Sequence, residues 1–228
     1  MPVTLGTARG DLRQRLNETV ANFYTDEWLN QMLNEGCRDL ARKARSLLGR
    51  ESIIVFAEQA EYRAPSDFLE HHRTEYLPDG SINVYPLRFR NYSEMDALWG
   101  VNQTIQQNYP EYITLWSEPP RTQFVVFPVP STAGVMRVQY FRISQTVTQD
   151  SQDLDVSEGF GEGAILYAQY KALFKTLDPR WKDIRNEYLE VLSDLEQNAA
   201  GYSDAMGSVS YGTPSAPVWQ FGAFGAWE

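Results

Sequence analysis

Thr25-Asp26-Glu27-Trp28-Leu29-Asn30-Gln31-Met32-Leu33-Asn34-Glu35-Gly36-Cys37-Arg38-Asp39-Leu40-Ala41-Arg42-Lys43-Ala44-Arg45-Ser46-Leu47-Leu48-Gly49 is the stretch that decides how the chain folds. Thr25 can cap a helix with its hydroxyl, and Asp26 and Glu27 fall in the first turn, where the helix dipole favours acids. Trp28, Leu29, Met32, Leu33, Gly36, Leu40, Ala44 and Leu47 recur at helical spacing. Arg42, Lys43 and Arg45 stand near the C-terminal end, and Gly49 reads as the stop. Such a helix has one broad apolar face and needs a partner to cover it.

Partners lie on both sides. Upstream, Thr7 to Thr19 reads as a helix with Leu12, Leu16 and Val20 on one face. Downstream, Glu162 to Leu177 is apolar almost all round, the mark of a centrally buried helix. Asp178-Pro179 then offers an N-cap followed by a first-turn proline for a fourth helix, running to about Asn198 with Trp181, Ile184, Tyr188, Val191, Leu192 and Leu195 inward. Between the pairs the periodicity drops to two. Ile53 to Ala57, Gln59 to Arg63, Ser81 to Arg88, Tyr112 to Trp116, Thr122 to Phe127 and Val135 to Ile143 read as strands, with Ser93 to Trp99 a short helix among them. Pro65-Ser66-Asp67, Pro78-Asp79-Gly80 and Pro119-Pro120 are turns, and Ala133-Gly134 reads as the hairpin joining the last two strands. Asp150 to Glu162 carries five acids and no base and reads as a linker.

The expected fold is therefore α+β: a four-helix core of two N-terminal and two C-terminal helices, an inserted β-rich lobe, and an extended C-terminal arm. The division is 1–50 for the first helical pair, 51–150 for the lobe, 151–199 for the second pair packing on the first, and 200–228 for the arm. At 228 residues one large domain or two small ones can be built.

Charge and cysteine content narrow the function classes. A net charge of −10 disfavours free nucleic-acid binding by counterion release, though not an acidic wall past which double-stranded DNA slides without sequence-specific contact. Cys37 is the single cysteine, so no intrachain disulfide forms. No signal peptide and no membrane span are expected, which suggests a chain made in a cytosol.

The search for chemistry names no catalytic, cofactor or metal residue. Gly159, Gly161 and Gly163 follow no strand, precede no Lys-Ser/Thr pair, and stand among Asp153, Asp155, Glu158 and Glu162, which would repel a phosphate. They read as a flexible lead into the third helix. His71 and His72 are adjacent and point apart, so a surface pair explains them better than a chelate. Cys37 beside Gly36 reads as a small buried residue at a helix contact. Arg38, Arg42, Lys43, Arg45 and Arg50 read as a solvated basic face. No cofactor is expected, and the chain is expected not to be an enzyme.

The arm is the strongest interaction signal. Beyond Ala200 the periodicity ends, Asp204 and Glu228 are the only charges, and Trp219, Phe221, Phe224 and Trp227 crowd into nine residues. Four large aromatics want a groove, each anchor contributing about 2 kcal/mol when buried. They are the candidate partner-binding residues, either on another subunit or folded back on the chain's own body.

An ordered series of scaffold motifs completes the reading: Leu12-Arg13-x-Arg15-Leu16-x-Glu18, Tyr24-Thr25-Asp26-x-x-Leu29, Leu33-Asn34-Glu35-Gly36-x-Arg38-Asp39-Leu40-Ala41-Arg42, Pro65-Ser66-Asp67-Phe68-Leu69-Glu70, Ser93-x-Met95-Asp96, Tyr109-Pro110-x-Tyr112, Phe127-Pro128-x-Pro130, Gly134-x-x-x-Val138-x-Tyr140-Phe141-Arg142 and Ala164-x-x-Tyr167-Ala168-x-Tyr170-x-Ala172. Together these resemble the head-to-tail adaptor (connector) proteins of tailed bacteriophages. The resemblance implies a structural virion protein of the neck, a homo-oligomeric ring of commonly twelve copies. Such a ring binds the portal protein, receives the next neck or tail protein and extends the DNA channel. Other neck roles, stopper or tail terminator, and a carbohydrate-binding tail component using Trp99, Tyr112 and Trp116 remain the alternatives.

Overall fold

The computed structural model describes residues 3–18, 23–102, 106–107, 109–118 and 121–207. In chain order these form α1 (Leu5–Arg15), α2 (Asp26–Ala44), β1 (Leu48–Val55), β2 (Glu61–Arg63), β3 (Phe68–Pro78), β4 (Tyr85–Phe89), α3 (Tyr92–Asn102), β5 (Gln106–Gln107), β6 (Tyr112–Glu118), β7 (Arg121–Phe127), β8 (Val129–Pro130), β9 (Gly134–Arg142), α4 (Gly161–Lys175) and α5 (Trp181–Gly207). The class is α+β, with five helices among the described residues and a large, nearly closed sheet.

Helix ends follow from local chemistry. The Thr25 hydroxyl accepts from the Trp28 N–H at the start of α2, and the Thr4 hydroxyl does the same for Thr7 at α1. Leu5, Ala8 and Leu12 of α1, Leu29, Leu33, Cys37 and Leu40 of α2, Ala164, Ala168 and Ala172 of α4, and Tyr188, Leu192 and Leu195 of α5 belong to one apolar cluster. Ten residues of α4 are buried, in keeping with its all-round apolar sequence. Small residues set the helix spacing. A Cβ on Gly36 would stand 3.0 Å from the Ala164 backbone, and one on Gly163 would stand 3.1 Å from both Leu40 and Val191.

The main sheet has the order β1-β9-β3-β4-β6-β7-β2. All pairs are antiparallel except β4 with β6, which α3 connects. Val55, Tyr62, Tyr76, Leu87, Ile113, Phe124, Met136 and Val138, drawn from all seven strands, share a second apolar cluster. The sheet curls around that cluster, so one surface is interior and the other faces out.

Several expectations are corrected. Ala133-Gly134 is not a hairpin between the last two strands: β9 lies between β1 and β3, while β7 pairs with β6 and β2. Gly134 is required for close approach, since a Cβ there would lie 2.5 Å from the Leu77 carbonyl oxygen. Gly49 is not the stop of α2. Arg45 ends that helix in the left-handed conformation (φ 50°), and Gly49 lies in β1, where a Cβ would meet the Tyr140 ring at 2.7 Å. β3 was not expected as a strand, because Glu70, His71, His72, Arg73 and Glu75 hide its alternation and two register shifts disrupt it.

The segment from Asp150 is no free linker. Leu5 N–H donates to the Gln152 carbonyl and Leu154 N–H to that of Val3, each at 2.9 Å, and Leu154 is buried. Asp150, Glu162 and Asp155 pair with Arg9 and Arg15 of α1 and with Arg142 of β9. Gly161 and Gly163 are buried within α4, not a flexible lead. Asp178 caps as expected: its Oδ1 accepts from the Arg180 N–H at 3.0 Å and its carbonyl from the Trp181 N–H, in the turn that opens α5 at Trp181. α5 continues to Gly207, past the expected end at Asn198.

Candidate interaction surface

The residues with chemistry are, first, those that lock the sheet to the helices. Asn34 on α2 is buried; its Nδ2 donates to the Val147 carbonyl at 3.0 Å, and its Oδ1 accepts from the Val147 N–H at 2.7 Å. Arg142, the last residue of β9, donates twice to Asp155 (2.6 and 2.7 Å), which also accepts from the Gln145 N–H at 2.6 Å. Burial alone would raise the Asp155 pKa, but Arg142 and that N–H reverse the effect and hold it below the ordinary carboxylate value. Ser157 Oγ donates to the Ser46 carbonyl at 3.0 Å. Arg9 pairs with Asp150 at 2.6 Å, and its pKa is raised by that hydrogen bond. Arg15 bridges Asp11 and Glu162.

Two exposed apolar regions stand at different ends. At the turn between α4 and α5, Phe174 packs edge-on to Trp181 with ring centroids 5.3 Å apart, and Leu177 is 79% exposed. Beside it Tyr24 stacks on Trp28 at 5.2 Å, Phe23 meets Tyr24 edge-on, and the Lys175 ammonium lies 4.6 Å from the Trp28 ring centroid. The Tyr24 hydroxyl donates to the Ala172 carbonyl at 2.7 Å, tying this platform to α4.

The second region is the far tip of the sheet. The register aligns Val55, Gly134 and Pro78 at one end, and Leu48, Phe141 and Glu70 at the helical end. Strand rise places the tip about 24 Å from the helices. Ile54, Phe56, Ile82 and Val84 are exposed there, Ile82 to 95%.

The residues singled out from sequence are distributed as follows. Trp219, Phe221, Phe224 and Trp227 lie outside the described residues, as does the Pro119-Pro120 turn. His71 and His72 lie in β3, half-buried rather than on the surface. The His71 ring stacks on Phe89 and shares a hydrogen bond of 2.8 Å with Thr74, and burial pushes its pKa down to about 4. His72 lies against Phe141. Burial pushes the Cys37 thiol up to about 12, which keeps it un-ionised at neutral pH. Of the basic face, Lys43 pairs with Asp39, Arg45 with Glu70, and Arg38 with the Thr146 hydroxyl; Arg42 and Arg50 are exposed. Of the three rings of the sugar-stacking alternative, Trp116 lies 5.6 Å from Tyr92 and Tyr112 lies 5.7 Å from the Arg90 guanidinium, so these two already carry a partner; the Trp99 side chain lies outside the described residues. A groove of about 510 Å³ runs between Leu47, Leu48, Phe160 and Leu195, and its ionisable side chains are Arg45 and Glu158. Among the described residues no three His, Cys, Asp or Glu side chains converge on a point that could hold a metal ion, and no helix is long and apolar enough to cross a membrane.

The Arg142–Asp155 lock, the Asn34–Val147 pair and the sheet tip were not singled out from sequence. Arg142 and Asn34 carried a signal only as members of motifs.

Comparison with known proteins gives three findings. A family model described as SU10 adaptor protein matches residues 3–215. Among solved structures, a chain of the "Neck of empty GTA particle computed with C6 symmetry" is similar at 13% identity, covering 76% of this chain and 82% of that one, with a TM-score of 0.30. No curated protein matches.

Proposed function

Because the chain belongs to the SU10 adaptor protein family, we propose that it is a ring subunit of the virion neck, joining the capsid portal to the next neck or tail protein and extending the DNA channel. The family match over residues 3–215 carries this reading. The protein is a structural component of a bacteriophage-type virion, and its work is cohesion between chains rather than turnover of a substrate. In this reading α1, α2, α4 and α5 form the core of the subunit. The sheet is a lobe of its own, and twelve copies make the ring. The aromatic arm, with Trp219, Phe221, Phe224 and Trp227, engages a neighbouring protein. The acidic surface lets double-stranded DNA pass without adhering, since like charges in the channel repel.

Electron microscopy of the full chain mixed with the portal protein tests the proposal. A ring of fixed rotational symmetry on the portal's narrow end is expected, formed without other neck proteins. Binding only after another neck protein has been added would instead mark a stopper or terminator. Deletion of Val218–Glu228 should leave the far-ultraviolet circular dichroism unchanged and weaken ring or portal assembly. Assembly at full affinity without those residues would remove the arm from the mechanism.

A further inference from the structure

The outward surface of β1, β9 and β3 departs from the acidic character of the chain. Met136, Val138 and Tyr140 of β9 point into the sheet's apolar cluster, so Val135, Arg137, Gln139 and Phe141 point out. The register sets Gln139 between Arg50 and Arg73, and Arg137 between Ser52 and Glu75. This is a band of three arginines across three strands, of which, among the described residues, Arg73 alone has an ion pair, with Glu75 at 2.6 Å. Apolar residues flank it: Leu48 and Phe141, in a row that ends on Glu70, toward the helices, and Ile54, Val135 and Leu77 toward the tip. Leu48 and Ile54 are exposed. β1 is also an edge strand, so among the described residues no strand continues the surface on that side.

The complementary surface is on α5. Asp183, Glu187, Glu190 and Asp194 recur at helical spacing and so share one face, and all four are exposed. No ion pair to any of them exists among the described residues. The inward face of the same helix, through Tyr188, Leu192 and Leu195, is buried against α2 and α4. The acidic stripe is about 16 Å long. The sheet surface measures about 20 Å along β1 by about 10 Å across three strands. The two match in size and oppose in charge, and they do not pair within one chain.

We propose that these surfaces meet between successive copies of the chain, the acidic face of α5 of one subunit seated on the β1–β9–β3 surface of the next. The inference rests on the ring reading above and supplies its subunit contact. A contact between two different surfaces of one chain is heterologous, the kind that closes into a ring when the rotation per subunit divides a full turn. The arginine band supplies register and the flanking apolar residues supply the area removed from water. Duplex DNA is the poorer occupant of this face. Leu48, Ile54 and Phe141 offer phosphates nothing, and the rest of the chain repels them.

Charge reversal separates the possibilities. Full-length E187K/E190K and R50E/R137E chains are each assayed for ring formation on the portal by electron microscopy and for self-association by sedimentation velocity. Each should weaken assembly by about tenfold or more, and the effect should shrink as salt rises from 50 to 300 mM. The chain carrying all four substitutions, and an equimolar mixture of the two reversed chains, should recover assembly relative to either reversed chain alone. All four positions are exposed, and unchanged circular dichroism verifies folding. Portal rings formed by both reversed variants with wild-type efficiency would overturn this contact while leaving the adaptor reading intact. Failure of the wild-type chain to form rings on the portal would overturn the adaptor reading, and this contact with it. Loss of duplex-DNA retention in R50E/R137E with assembly unchanged would assign the surface to nucleic acid and also overturn the proposal.

Discussion

Replacement of Asn34 by Ala should cost more stability than its position on a helix suggests. Asn34 is 5% exposed, and its amide pairs with both backbone groups of Val147 as a neighbouring strand would. A third bond runs from Nδ2 to the Asn30 carbonyl at 2.8 Å. Truncation leaves the buried Val147 N–H and carbonyl without protein partners, at about 1–3 kcal/mol for each such group. A water entering the vacated space recovers part of that. The expected loss is about 3 kcal/mol, or a fall in Tm of roughly 6–12 °C for a chain of this size. Urea denaturation followed by circular dichroism measures it, and the midpoint should fall with the slope unchanged. N34D should be no better than N34A, because its second carboxylate oxygen faces the Val147 carbonyl. A loss below about 0.5 kcal/mol in N34A would show that the segment after β9 is held by its apolar contacts alone, and the reasoning would fail.

Further outcomes follow from the same structure. Gly134→Ala places a methyl group 2.5 Å from the Leu77 carbonyl oxygen and 2.8 Å from the Tyr76 ring, so the β9–β3 register must shift. A loss of about 2–3 kcal/mol is expected in the same denaturation assay. Gly36→Ala meets the Ala164 backbone at 3.0 Å, and a crystal structure of the variant should show α2 displaced from α4 by a few tenths of an ångström. The folded protein holds the His71 ring neutral, with a pKa of about 4. Its contribution to stability is whole above the ordinary histidine value of about 6.5 and diminishes as pH falls from there toward the folded value. The Asp155 carboxyl, whose pKa is lowered, contributes above the ordinary carboxylate range and is lost as pH falls through its folded value. Urea midpoints from pH 7 to 3 should therefore decline in two stages, and H71F should remove the upper one.

The helices were legible because their signals are local. A threonine cap, acids in the first turn and an apolar stripe specify α2 with no knowledge of the rest, and the five expected helices appear within a few residues of their places apart from the C-terminal extension of α5. The sheet was legible only strand by strand. Its order depends on pairings between residues far apart in sequence, and nothing local to Gly134 says that β9 must turn away from β7 and lie between β1 and β3. β3 escaped notice because its outward residues are charged and its histidines are half-buried, so neither face shows the usual alternation. The acids after Asp150 misled for the opposite reason. In isolation they describe a solvated linker, and their arginine partners at positions 9, 15 and 142 are visible only once the chain has folded. The candidate site was the least legible part. The aromatic arm is conspicuous, whereas the arginine band on the outer sheet exists only as a register between three strands.

The junction between sheet and helices decides what such a subunit can transmit. The sheet leaves α2 at Leu47 and rejoins α4 through residues 143–160, and both passages are cross-linked: Ser157 to Ser46, Asn34 to Val147, Arg45 to Glu70 and Arg142 to Asp155. Had residues 150–162 been a free tether, the sheet would sample many orientations, and any contact made by it would incur the entropy of fixing one of them. With four links spread over both passages, the orientation is set before assembly. The acidic face of α5 and the arginine band on the sheet then keep one fixed angle to each other, and a repeated contact between them turns each copy by the same amount. A ring of one size is the outcome when that angle is constant. Loosening it by breaking the Arg142–Asp155 pair should therefore broaden the distribution of ring sizes before it reduces the amount of ring formed.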